Sequence, residues 1–162
     1  MNKYVIFLLT VLSIVLADQL TKLYINATLP LHDSFVVVQG FLNITHVRNP
    51  GAAFGFLAQA SPLFRSTFFT GVGLLAIVLI VYYVVKSGAG EQRLVFALSL
   101  ILSGALGNLI DRLRFGEVID FIDVYVSTYH WPAFNVADSA VSIGALLMIL
   151  EVWQRERQHK ST

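Results

Sequence analysis

Ten polar side chains stand out in this sequence as types that do chemistry: Asp18, Lys22, Asn49, Asn108, Asp111, Arg112, Asp120, Asp123, Asn135 and Asp138. Asp18 and Lys22 are spaced i,i+4, as are Asn108 and Arg112, while Asn108/Asp111 and Asn135/Asp138 are spaced i,i+3. On a helix each of these pairs shares one face. Two carboxyls brought together in a low-dielectric site do not both ionise cheaply, so they share a proton. The ionised partner draws a proton from water, and the protonated partner donates to a carbonyl oxygen or a leaving amine. That is peptide-bond hydrolysis, and it needs neither metal nor thiol. Asp18, Asp111, Asp120, Asp123 and Asp138 are all eligible for such a pair, and position alone does not choose between them. No Ser/His pairing of recognisable spacing offers a different nucleophile.

The elements that must position these groups are membrane helices. Of 162 residues, 56% are hydrophobic and 13% charged, with mean hydropathy +0.72. That is too apolar for an ordinary soluble domain and points to a membrane protein of one domain, residues 1–162. The net charge of +1 shows no basic face for nucleic acid. Cysteine is absent, which removes disulfides and thiolate sites together. Four runs are long and apolar enough to span, near residues 4–25, 63–85, 94–113 and 134–153. Ser61-Pro62 supplies an N-cap and a first-turn proline for the second. Lys3, Lys86, Arg93, Arg155, Arg157 and Lys160 fall on one side if both termini share it, which the positive-inside rule makes the cytoplasm. The outer loops are then residues 26–62 and 114–133. In the first, "FVVV" and "FLNITHV" read as strands separated by Gln39-Gly40, and Asn49-Pro50-Gly51 as a turn before "GAAFG". In the second, Tyr125, Tyr129 and Trp131 suit an interfacial aromatic belt. With this topology the polar residues converge on one depth, at the outer ends of the spans.

Each of these residues also has an ordinary reading. Asp18 with Lys22 reads as an ion pair ordering a helix end, and Asp111 with Arg112 as a snorkelling pair. Asn135 with Asp138 reads as a capping box. Asp33, Glu117 and Asp123 read as solvated, and His32, His46, His130 and His159 as surface or interface residues without ligand spacing. "SGALGN" reads as close helix packing rather than a phosphate loop. Lys3, the first apolar run and Val15-Leu16-Ala17 resemble a cleavable signal peptide, but apolar character resumes at Leu20, Leu23, Tyr24 and Ile25. The Asn43-Ile44-Thr45 triplet is a common chance sequon. Rival functions are a small transporter or proton-relay subunit, a metal-dependent phosphatase or lipid enzyme with Asp111, Asp120, Asp123 and Asp138 holding Mg²⁺, and a membrane scaffold. A relay favours polar residues spread through the membrane thickness, whereas the inner halves of these spans are nearly free of charge.

Five stretches resemble the bacterial lipoprotein signal peptidases, also called signal peptidase II: "DQLTK" (18–22), "RNPGAAFG" (48–55), "GALGNLIDR" (104–112), "GEVIDFID" (116–123) and "FNVADS" (134–139). They occur in the family's order and cover most of the chain. The resemblance implies an all-α membrane protein of four spans with a small extracytoplasmic β-sheet cradle in the first outer loop. It implies an aspartyl endopeptidase of the bacterial inner membrane with Asp120 and Asp138 as the catalytic pair and no metal or cofactor. Its supporting positions map onto Asp18, Lys22, Asn49, Gly51, Gly104, Asn108, Asp111, Arg112, Phe134, Asn135 and Ala137. The implied substrate is a prolipoprotein bearing a diacylglyceryl cysteine, cut just before that cysteine. Membrane lipids and globomycin-type cyclic peptides are the other implied partners, the latter lodging between the two aspartates. Between those two, the start of the fourth helix favours charge on Asp138, making it the base and Asp120 the proton donor.

Overall fold

The computed structural model describes residues 2–51, 57, 59–88 and 90–160, with side chains described as far as Arg157. The "GAAFG" part of the second expected motif falls mostly on residues 52–55, outside the described residues, as does the side chain of His159. Four helices carry the chain: α1 (Lys3–Thr28), α2 (Pro62–Lys86), α3 (Gln92–Phe115) and α4 (Val136–Lys160). All four are long and apolar enough to cross a membrane, so the four expected spans are present. Ser61 caps α2 as expected, its hydroxyl accepting from the Phe64 amide, with Pro62 in the first turn.

Helices consecutive in the chain run in opposite directions. Lys3 Nζ, at the start of α1, donates to the carbonyls of Val84 (3.0 Å) and Ser87 (2.6 Å) at the end of α2. Arg155 near the end of α4 pairs with Glu91 just before α3. Lys3, Lys86, Arg93 and Arg155 thus collect at one end of the bundle. The sheet sits at the other.

Helix α3 is the axis of the bundle. In its most apolar stretch 61% of residues are buried, against 6% for α1. It packs chiefly on α4 and α1, less on α2. Small residues allow the approach: a Cβ on Gly104 would collide with the Ala137 carbonyl of α4, and one on Gly144 would lie 2.7 Å from the Ala97 carbonyl of α3. Ile80, Val84, Val95, Leu98 and Leu102 fill the space between α2 and α3. The other helix faces carry exposed Leu, Val and Phe, as a lipid-facing surface does.

The sheet departs from the sequence reading. It has four antiparallel strands in the order β1 (Ser34–Val38), β2 (Leu42–Asn49), β3 (Val118–Val126), β4 (Tyr129–His130). The β1–β2 hairpin is the one expected, turning at Gly40 with φ +78°. The sheet is not confined to the first loop, however, because the second loop supplies β3 and β4. Val118, Ile119, Asp120 and Phe121 are buried on both faces of β3, so no polar/apolar alternation marks the strand. The fourth helix also begins later than residue 134. Phe134 still pairs with β3, its carbonyl accepting from Ile122 (2.8 Å) and Phe121 (3.0 Å).

Candidate active site

The ends of α1 and α3, the start of α4 and strands β2 and β3 bring most of the expected residues together. Lys22 is 1% exposed and Asp18 is fully buried. Lys22 Nζ lies 2.9 Å from Asp18 Oδ2 and 2.9 Å from Asp111 Oδ2, so the helix pair read from the i,i+4 spacing is one edge of an ion triad between α1 and α3. Asp18 Oδ1 also accepts from the Ala137 amide (2.9 Å), and Asp111 Oδ2 from the Ile119 amide (3.1 Å). The triad therefore ties two helices to the first turn of α4 and to β3. Gly107 lets it close, because a Cβ there would sit 2.5 Å from Asp18 Oδ2. Gly107→Ala is accordingly expected to destabilise the protein by about 1–3 kcal/mol, read as a lower thermal midpoint in detergent. An unchanged midpoint would mean that the triad yields freely.

From the triad, hydrogen bonds lead to two further aspartates. Lys22 Nζ donates to Asn108 Oδ1 (3.1 Å), and Asn108 Nδ2 donates to Asp138 Oδ1 (2.8 Å). Asn135 and Asp138 cap the start of α4 reciprocally. The Asp138 amide donates to Asn135 Oδ1 (2.9 Å) and the Asn135 amide to Asp138 Oδ2 (3.2 Å), the box expected from their spacing. Asn135 Nδ2 then reaches Asp120 Oδ1 on β3 at 2.8 Å, so Asn135 touches both aspartates. Asn49 of β2 donates to Asp120 Oδ2 (2.9 Å) and accepts from the Gly51 amide (2.8 Å). Gly51 fixes which way the Asn49 amide faces, with φ +101° and the Phe69 ring where a side chain would go.

Asp120 is 2% exposed, and its carboxyl is pushed up to about 7, first by burial and then by the charge of Asp138. Asp138 is less buried. It lines a cleft of about 420 Å³ with Trp131, Phe134, Ser139, Ser142 and Ile143. Arg112 is near enough to Asp138, Asp120 and Asp111 to feel each charge. Four carboxyls thus face two cations, Lys22 and Arg112, which favours a proton on one acid.

Other expectations change. Asp111 and Arg112 do not form a snorkelling pair: Asp111 belongs to the triad, and Arg112 stacks on Phe69 (5.4 Å) and donates to the Asn108 carbonyl (3.4 Å). Asp33 is exposed as expected, but Asp123 is not solvated. Its side chain, 14% exposed, is held by His130 (2.8 Å) and Asn43 (2.9 Å). His46 is buried rather than at the surface, with Nδ1 2.8 Å from the Leu29 carbonyl. Asp111 and Asp123 therefore have partners away from Asp120 and Asp138, and the four acids form no single metal-binding cluster. Gln19 was not singled out from the sequence. Its amide nitrogen lies 3.1 Å from Asp18 Oδ2 and Asp111 Oδ1 and 3.2 Å from the Gly107 carbonyl. Its place between the two acids has no signature in helical spacing.

Comparison with known proteins gives a consistent answer. A family model described as signal peptidase (SPase) II matches residues 10–154. A lipoprotein signal peptidase from Syntrophus aciditrophicus is 52% identical, covering 95% of this chain and 96% of the relative. One from Geobacter sulfurreducens is 48% identical over 96% of each chain. A solved structure of a bacterial membrane enzyme superposes with a TM-score of 0.82 at 40% identity, covering 91% of this chain and 87% of the other.

Proposed function

We propose that this chain, which belongs to the signal peptidase (SPase) II family, removes the signal peptide from diacylglyceryl-modified prolipoproteins by an aspartyl mechanism, cutting just before the lipidated cysteine. A multi-pass bacterial membrane peptidase of this family acts on prolipoproteins, and the buried carboxyls supply a way to do so. The observation that carries the mechanism is Asn135, whose side-chain nitrogen donates to the Asp120 carboxyl while its backbone amide donates to the Asp138 carboxyl and its side-chain oxygen accepts from the Asp138 amide.

In the first step Asp138 takes a proton from water as its oxygen attacks the scissile carbonyl carbon, and Asp120 gives its proton to the carbonyl oxygen. Collapse of the tetrahedral intermediate breaks the C–N bond as the departing amine takes the proton held by Asp138 and a hydroxyl of the intermediate returns its proton to Asp120. Three features support that assignment. Asp120 is the more buried acid, its pKa of about 7 keeps a proton on it up to the neutral range, where about half of the molecules hold it, and Asp138 sits at a helix start that favours an anion. Asp18, Lys22, Asn108 and Asp111 orient Asp138, Asn49 and Gly51 orient Asp120, and Arg112 stabilises negative charge nearby. Gly104 and Ala137 let α3 and α4 approach, and Phe134 forms part of the cleft wall. The site lies at the outer leaflet of the cytoplasmic membrane, with both termini in the cytoplasm. There the acyl chains of the substrate stay in hydrocarbon while the peptide reaches Asp138. Globomycin-type peptides block the reaction from between the aspartates.

The test is cleavage of a purified lipidated prolipoprotein against the same polypeptide without lipid. Only the lipidated form should be cut, and a metal chelator should leave the rate unchanged. Equal cutting of both would refute the substrate assignment. The pH profile follows from Asp120. An acid with a raised folded-state pKa contributes stability that is fully present below the unfolded value of 3.8 and is lost as pH rises through about 7. The donor is lost over the same upper range, so kcat should fall above pH 7. A flat profile from pH 6 to 9 would contradict this role.

A further inference from the structure

Arg48 and Arg114 are drawn to one place on the molecule without an acid to explain them. The Arg48 guanidinium lies 4.6 Å from the centre of the Phe115 ring and that of Arg114 lies 5.0 Å from it. Phe115 ends α3, and Arg48 is further fixed by donating from Nη2 to Asn26 Oδ1 (2.6 Å) in the last turn of α1. Among the described residues neither arginine has an ion pair, and Arg114 has no hydrogen bond to another side chain. Two like charges gathered on one ring repel each other. The ends of α1 and α3 favour cations but carry no counter-ion, and Arg48 belongs to a strand rather than to either helix.

The place matters as much as the charge. Both helices stop here, so the pair stands at a boundary of the apolar spans, where a bilayer has its phosphates. Next to Arg114, Leu113 is 71% exposed and offers a surface for acyl chains. A guanidinium matches a phosphate with two parallel N–H donors, and Arg48 keeps donors beyond the one that Asn26 accepts.

We propose that Arg48 and Arg114, flanking Phe115 where α1 and α3 end, form a site for the phosphate of an anionic phospholipid headgroup. This goes beyond the peptidase reading and does not depend on it. Arg48 precedes Asn49, the residue that holds Asp120, so a lipid bound here also steadies the strand behind the active site.

The test is native mass spectrometry of the full chain, carried in detergent with phosphatidylglycerol or phosphatidylcholine added. The unaltered protein should retain one phosphatidylglycerol more strongly than phosphatidylcholine, and Arg48→Gln/Arg114→Gln should lose it by about tenfold or more. Arg114→Gln alone touches only an exposed side chain and keeps the fold. It should show a smaller loss in the same direction. Excess inorganic phosphate should leave the lipid bound. Equal retention by the unaltered protein and both variants would overturn the site. Displacement by inorganic phosphate would overturn the lipid as its occupant, and equal retention of phosphatidylcholine would overturn its preference for an anionic headgroup. Because the readout is lipid retention, a failure of the peptidase assignment would not alter it.

Discussion

Asp120→Asn and Asp138→Asn enzymes that still fold should each cleave a lipidated prolipoprotein more than about 100-fold more slowly than the unaltered enzyme. An amide at position 138 cannot take a proton from water, and one at position 120 is no acid. The shapes change little, so Asn108, Asn135 and Asn49 still have neighbours of the right size. Retention of the fold can be checked by thermal midpoint before the rates are compared. The double variant should be scarcely slower than either single one, because the two groups act as one unit and losing either already removes its work. Multiplied losses would show that the two acids serve separate steps, and near-normal turnover by either single variant would remove that residue from the chemistry.

The second large effect is on stability. Lys22→Met would leave Asp18 and Asp111 buried with no positive charge between them. Breaking a buried ion pair by deleting one partner costs about 3–5 kcal/mol, since the remaining charge is stranded. That corresponds to a fall in thermal midpoint of roughly 10 °C for a chain of this size. Asp18→Asn and Asp111→Asn added to the same protein should restore part of the loss, because no stranded charge is then left. Turnover should fall less than in the Asp138 variant, as Lys22 reaches Asp138 only through Asn108. A full-strength fold with no turnover would instead place Lys22 in the chemistry itself.

Much of this arrangement was legible in the sequence. The spans declared themselves by length and apolarity, which the bilayer imposes on any spanning helix. The i,i+3 and i,i+4 spacings brought Asp18 to Lys22 and Asn135 to Asp138 because helical geometry is local. What local spacing cannot supply is the choice among partners across helices. Lys22 meets Asp111 as closely as it meets Asp18, and Asp111 turns away from its neighbour Arg112. The same limit hid β3, whose first four residues are buried on both faces and include the ionisable Asp120. Asp123 read as solvated because its partners, His130 and Asn43, lie on other strands. The selection of Asp120 and Asp138 among five eligible acids rests on resemblance alone, and what the structure adds is that Asn135 hydrogen-bonds to both.

The proton on Asp120 can be followed by infrared absorption of carboxylic acids in the full-length enzyme reconstituted in lipid. At pH 6 a protonated-carboxyl band should be present that fades as pH rises through about 7 and is missing from Asp120→Asn. A spectrum in which that band is absent at pH 6, or persists unchanged in Asp120→Asn, would mean that Asp120 does not hold the proton the cleavage requires.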